Sequence, residues 1–247
     1  MLAVLTLTAC GQSSGGQPGP GTRLSGETTV FAAASLTKVF TELGKQFEAE
    51  HPGTTVTFSF GASTGLAQQV LAGAPADVFA SAGKKNMDLV VASGSISDAK
   101  PFASNVGQIA VAPSAARKVT SLADFSKPGV KVALCQPDVP CGVVAQEVLR
   151  KAAVRTKPVT LGLDVKSTLA NVVSGEVDAA IVYVTDVLAS GNKVVGITIP
   201  AAANSSTPYL IGTISASDNP LLAKAFADSV LAPAGQEQLR RAGFSSP

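Results

Sequence analysis

Apolar residues recur along this chain in two rhythms: short runs bounded by Gly, Pro or Ser, and longer stretches spaced by three and four. Residues 30–37, Val30-Phe31-Ala32-Ala33-Ala34-Ser35-Leu36-Thr37, read as a buried strand that passes through small residues into a helix. Leu36, Val39, Phe40, Leu43 and Phe47 then share one helical face, with Ser35 as the expected N-cap. The pattern repeats at residues 58–65, where Phe58-Ser59-Phe60 leads through Gly61-Ala62-Ser63-Thr64-Gly65 to a helix carrying Leu66, Val70 and Leu71. A short strand at 76–81 precedes a helix from Lys84 to about Ser93, stopped by Gly94. Strands are expected again at 106–111, 130–134, 159–161, 178–183 and 208–214. Helices open at Pro140, with Val144, Val148 and Leu149 on one side, and at Val165, with Leu169, Val172 and Val173. Two more follow, marked by Leu221, Leu222, Ala225, Phe226 and Val230, and by residues 235–241.

Alternation of strand and helix predicts an α/β fold with a mostly parallel sheet covered on both faces. The strand at 106–111 is placed to carry the chain into a second lobe, and 208–214 to bring it back. Lobe one is therefore expected at 27–106 and 210–247, lobe two at 107–209, with a cleft and a two-strand hinge between them. No repeat of the solenoid kind and no second long apolar span interrupts this plan.

At 247 residues and 46% hydrophobic content, the chain can bury a sizeable core. Its net charge is only +2, with Lys and Arg scattered, so no basic stripe points to nucleic acid. The single histidine, His51, sits before Pro52-Gly53 in an expected turn, and no Cys pair has metal-ligand spacing, which excludes a zinc site. Residues 1–10 form an apolar segment too short to cross a bilayer, ending Leu7-Thr8-Ala9-Cys10-Gly11, which resembles the lipobox of bacterial lipoproteins. Cleavage before Cys10 would leave its thiol for a lipid. Residues 11–26, rich in Gly, Ser, Pro and Gln, read as a flexible tether. Together they place the body outside the cytoplasmic membrane, anchored by lipid.

Helix starts supply the candidate chemistry. Their first N–H groups lack intrahelical partners and carry about half a positive charge, so they hold anions without Lys or Arg. Four such turns occur, at Ser35, Ser63, Cys141 and Val165, although an ordinary cap accounts for each singly. Cys135 and Cys141 form an even pair, which in an exported chain favours a disulfide. The alternative is a nucleophilic Cys141 at its helix start, but His51 is the only histidine to serve as base. A hydrolase using Ser35 or Cys141 would also need a Gly-x-Ser-x-Gly elbow at its nucleophile and a pairing histidine; Ser35 sits in Ala33-Ala34-Ser35-Leu36-Thr37, the Gly-x-Ser-x-Gly spacing falls instead at Gly61-Ala62-Ser63-Thr64-Gly65, and His51 is the only histidine to pair with either.

Three blocks carry a resemblance: Thr29-Val30-Phe31-Ala32-Ala33-Ala34-Ser35-Leu36, then Gly73-Ala74-Pro75-Ala76-Asp77-Val78-Phe79-Ala80-Ser81-Ala82, then Ala180-Ile181-Val182-Tyr183 with Asp186 beyond. Residues 27–244 resemble the molybdate-binding protein of bacterial ABC importers. The resemblance implies a type II periplasmic-binding-protein fold whose two lobes close on one tetrahedral oxyanion, molybdate or tungstate, with no cofactor and no catalysis. It implies that Ser35 and Ser63 contribute hydroxyl and N–H, Cys141 and Val165 their N–H, and Tyr183 its hydroxyl. It further implies a monomer that delivers the anion to a membrane permease. Two features depart from the family pattern: the Cys135 and Cys141 pair, and a serine-poor 60–65 turn that leaves open whether Ser63 alone or Thr64 as well touches the ligand. The rival ligands for the same architecture are sulfate and other tetrahedral oxyanions. Phosphate would need a buried acceptor for its proton, and Asp164 is the one carboxylate near a predicted turn, where it also suits an N-cap.

Overall fold

The computed structural model describes residues 24–247; Cys10, its expected lipidation and most of the 11–26 tether lie outside the described residues. Strand β1 (Gly26–Ala33) runs between β2 (Thr54–Gly61) and β3 (Val78–Ala82), parallel to both. Covered on both faces, it is buried from Val30 onward, as a central parallel strand requires. A short 3₁₀ turn, Ala34–Leu36, leads into α1 (Thr37–Glu50), and the expected face of Val39, Phe40, Leu43 and Phe47 is buried. Ser35 is not the N-cap: Ala33 occupies that place for the 3₁₀ turn and makes no side-chain cap bond, so Ser35 lies inside the first turn with its hydroxyl free for other partners. Helices α2 (Ser63–Leu71) and α3 (Lys84–Ala92) follow their strands, and Gly94 adopts φ +78° beyond α3, the left-handed conformation that ends a helix at little cost to glycine.

The chain then enters β4 (Lys100–Val111), six residues earlier than its apolar pattern begins at Val106, with a register shift between Pro101 and Ala103. Its first half pairs antiparallel with β9 (Ser206–Thr213), residues 107–111 pair with β7 (Ala179–Tyr183) and residues 108–111 with β8 (Val195–Thr198). Between Val106 and Gly107 the strand thus passes from one group of strands to the other. The second group is completed by β5 (Val132–Cys135) and β6 (Thr160–Gly162), giving the order β2-β1-β3-β9-β4-β7-β5-β6 with β8 beside β4. Helices α4 (Pro140–Lys151), α5 (Val165–Val173) and α6 (Val184–Ser190) cover it. Strand β8 and helix α6 are too short and too weakly patterned to stand out in the sequence.

The last helices, α7 (Pro220–Leu231) and α8 (Pro233–Arg241), return to the first group. Phe226 of α7 explains why: its ring packs edge-on against Phe47 at 5.6 Å and Phe40 at 6.1 Å, closing the aromatic centre of that core. His51 caps the end of α1 and packs against Phe47. Among the described residues no helix is long and apolar enough to cross a membrane.

Candidate functional site

The turns identified from sequence converge. Ala34, Ser35, Ala62 and Ser63 from the first group of elements face Pro140, Cys141, Asp164, Val165 and Tyr183 from the second across one cavity. The room inside for the centre of a water-sized body is about 20 Å³, where one water needs about 10–15 Å³. It suits a single compact solute and no organic substrate of drug size. Ser35, Ser63, Cys141, Val165 and Tyr183 are all buried, so a solute held there is sequestered from bulk water.

Local structure aims donors inward. Ser63 and Val165 are the first residues of α2 and α5, and Cys141 is the second of α4, so their N–H groups precede the helical ladder. Helix α4 starts where it does because Gly142 lets the chain fold tightly on itself: a Cβ there would lie 1.8 Å from the Gln136 carbonyl oxygen. Cys135 and Cys141 are disulfide-bonded with Cα atoms 5.8 Å apart, tying the end of β5 to this turn. Ser63 Oγ accepts the Ala82 N–H at 2.9 Å, which leaves its own proton to point elsewhere. Ser35 Oγ lies 2.7 Å from the Tyr209 hydroxyl.

Tyr183 ends β7 with its hydroxyl buried and without a hydrogen-bond partner. Burial above all, with the neighbouring Tyr209 and Asp186 adding to it, pushes its pKa well up, so the group stays a neutral donor. Asp186, fully buried, has its own carboxyl pKa raised by burial, against the pull of Lys166. Lys166 Nζ stands 2.9 Å from Asp186 Oδ1, and Asp186 Oδ2 accepts the Tyr183 N–H at 3.3 Å. This pair clips the first turn of α5 to the strand end bearing Tyr183.

The cavity wall carries no Lys, Arg or His. Its one carboxylate is Asp164, whose Oδ1 accepts the Ser167 N–H at 2.8 Å as the N-cap of α5. Asp164 thus serves as the N-cap of α5. Thr64 does not line the cavity; its hydroxyl donates instead to the Asp138 carbonyl at 3.1 Å, a bond between the two facing groups of elements. Cys141 is committed to the disulfide and has no histidine beside it, which removes the nucleophile reading. Among the described residues no cluster of three or more metal-ligating side chains occurs. No sequence pattern marks Tyr209, Asn105 or Lys166 as part of the site. The one available signal for Tyr209 was that the chain has just two tyrosines, both in short apolar strands.

The model of the bacterial extracellular solute-binding protein family matches residues 28–245. The chain is 38% identical over 248 positions to the molybdate-binding protein ModA of Mycobacterium tuberculosis, covering 100% of this chain and 95% of that one. Among solved structures, it resembles the substrate-binding domain of a putative molybdenum ABC transporter from Clostridium difficile, with TM-score 0.68 and 28% identity over 90% of this chain and 99% of that one. The Azotobacter vinelandii periplasmic molybdate-binding protein superimposes with TM-score 0.80 at 19% identity over 89% of this chain and 99% of that one, a likeness of fold.

Proposed function

The chain belongs to the bacterial extracellular solute-binding protein family, and from that premise we propose that it binds molybdate outside the cytoplasmic membrane and surrenders it to an ABC importer. The observation that carries this reading is the Tyr183 hydroxyl, buried and unpartnered beside a cavity that also presents Ser35, Ser63 and three helix starts. A small dianion with acceptors on every side is the solute such a donor set fits. Entering the cleft strips its hydration, and each charge-assisted bond to a neutral donor offsets roughly 1.5–3 kcal/mol of that loss. With no cation in the wall, the anion is held by oriented dipoles that release it when the lobes part. Ser35 and Ser63 act from one lobe through hydroxyl and N–H. Cys141 and Val165 act from the other through N–H, with Tyr183 giving its hydroxyl. Lobes at 27–106 with 210–247 and at 107–209 would close by bending where β4 and β9 cross between them, and a ligand that touches both shifts the population toward the closed form.

Tungstate, with the same charge and shape, is expected to bind in the same way, whereas sulfate is smaller and reaches only some of the fixed donors at good length. The body works as a monomer tethered through a lipid on Cys10. The test of function is a melting-temperature or native-mass shift of the purified protein across a panel of oxyanions. A large shift with molybdate and tungstate, a small one with sulfate and none with phosphate is expected; equal shifts with sulfate and molybdate would overturn the ligand assignment. For the anchor, Cys10→Ala is expected to move the protein from the membrane to the soluble fraction, and unchanged fractionation would refute it.

A further inference from the structure

Two side-chain hydrogen bonds join the facing groups of elements among the described residues, and no ion pair does. The first, from Asn105 Nδ2 of β4 to Thr185 Oγ1 at 2.8 Å, lies at the crossing strands. The second spans the cleft itself, from Thr64 Oγ1 to the Asp138 carbonyl at 3.1 Å. Its direction is fixed by chemistry: a main-chain carbonyl only accepts, so the single hydroxyl proton of Thr64 is committed to it. That hydroxyl has no proton left for a solute, and Thr64 does not line the cavity. Ala34 and Ala62 of the first group also pack against the core of the second, with no more than a methyl group each.

Both partners of this bond adjoin residues that face the cavity. Thr64 follows Ser63 in the first turn of α2, and Asp138 lies in the loop that the Cys135–Cys141 bridge closes. Val139, Pro140 and Cys141 of the same loop line the cavity. Several ties hold the loop as one piece besides the bridge. Pro137 and Pro140 fix their own φ angles, the Gln136 N–H donates to Gly162 O at 2.9 Å, and Gln146 Nε2 donates to Pro137 O at 3.2 Å. The loop therefore presents the Cys141 turn to the cavity and the Asp138 carbonyl to Thr64.

We propose that Thr64 is a closure residue: its bond to the bridge-held Asp138 carbonyl exists only with the cleft closed, and it slows release of the bound anion without taking part in its recognition. The inference rests on the oxyanion-binding reading above and extends it to what holds the closed cleft shut. An anion that touches both Ser63 and Cys141 brings their neighbours Thr64 and Asp138 together, so the bond favours the closed form and adds nothing to the open one. Release requires opening, and the bond is therefore felt in the dissociation rate. Association takes place at the open cleft and does not feel it.

The test combines calorimetry with the rate at which bound molybdate exchanges for excess tungstate, followed by native mass spectrometry, on wild type, Thr64→Val and Thr64→Ser. Thr64→Val keeps the branched shape and deletes the donor. It is expected to speed exchange roughly 2- to 10-fold, as loss of one neutral, solvent-exposed hydrogen bond does, and to raise Kd by the same factor with the molybdate-to-sulfate ratio unchanged. Thr64→Ser retains the hydroxyl and should restore slow exchange. With Cys135 and Cys141 both replaced by Ser, the carbonyl is less firmly held and Thr64→Val should cost less. Exchange at the wild-type rate in Thr64→Val, or a loss that Thr64→Ser does not restore, would overturn the closure role. A shifted molybdate-to-sulfate ratio would make Thr64 a ligand contact instead, and an undiminished loss in the bridge-free protein would remove the bridge from the device. A wild-type protein that binds no molybdate would overturn the functional reading on which the inference depends.

Discussion

Replacing Tyr183 by Phe deletes one oxygen and leaves the ring, and the structure gives the two consequences opposite signs. If the hydroxyl donates to a charged oxygen of the bound anion, as proposed, its loss should weaken molybdate binding by roughly 1.5–3 kcal/mol, or roughly 10- to 150-fold in Kd. Without the anion, closing the cleft leaves that hydroxyl buried and unpartnered, which opposes closure by roughly 1–3 kcal/mol. On this reasoning Tyr183→Phe should close more readily than the wild type when empty. Calorimetry reads the first effect. Small-angle scattering of the unliganded protein reads the second, as a smaller radius of gyration for the variant. Burial holds the Tyr183 proton in place far above neutral pH, so the loss should be the same across the neutral range. Binding equal to wild type would show that the hydroxyl does not touch the ligand. Weakened binding with an unchanged empty-state radius would refute the argument that an orphaned hydroxyl guards closure.

Three other perturbations test the supports of the site. The Cys135–Cys141 bridge closes a short loop, so Cys135→Ser should lower stability by roughly 2–3 kcal/mol in the chain-entropy model; chemical denaturation measures it, and two alkylatable thiols in the exported wild type would refute the bridge. Lys166→Met removes the cation beside the buried Asp186 carboxylate, which should cost roughly 3–5 kcal/mol at neutral pH. Burial raises the folded-state pKa of Asp186, so the neutral acid is the better tolerated form, and the variant's deficit should be least in acid and grow as pH rises through that pKa. A melting-temperature difference that stays constant with pH would contradict it. Gly142→Ala places a methyl group 1.8 Å from the Gln136 carbonyl oxygen, a clash with backbone that must push the start of α4 away; at least a 10-fold loss of molybdate binding, about one factor of 1.4 kcal/mol, is expected by calorimetry, with unchanged affinity as the refuting result.

The local grammar of this chain determined its elements and its donor turns. A run of apolar residues ending in small ones, followed by three-and-four spacing, can hardly be other than strand, turn and helix, and Ser35, Ser63, Cys141 and Val165 were legible because a helix start exposes its N–H groups whatever surrounds it. The place of the C-terminal helices after the return strand predicts that they pack with the first elements of the chain, and Phe226 of α7 does so on Phe40 and Phe47 of α1. What tertiary structure decided is whether those donors meet, and what else meets them. Ser35 is no N-cap because a 3₁₀ turn starting at Ala34 shifts the cap to Ala33, a difference of local winding that residue types do not encode. Strand β4 begins before its apolar pattern does: Lys100 and Pro101 look unlike strand residues, yet pairing with β9 holds them extended through a register shift. Asn105, Tyr209 and Ser35 are far apart in the chain, and Lys166 pairs with Asp186 across two helix starts; such contacts depend on which strands lie side by side. Periodicity reports a residue's neighbours along one element, and only the crossing of β4 and β9 brings a hydroxyl at 209 to a serine at 35.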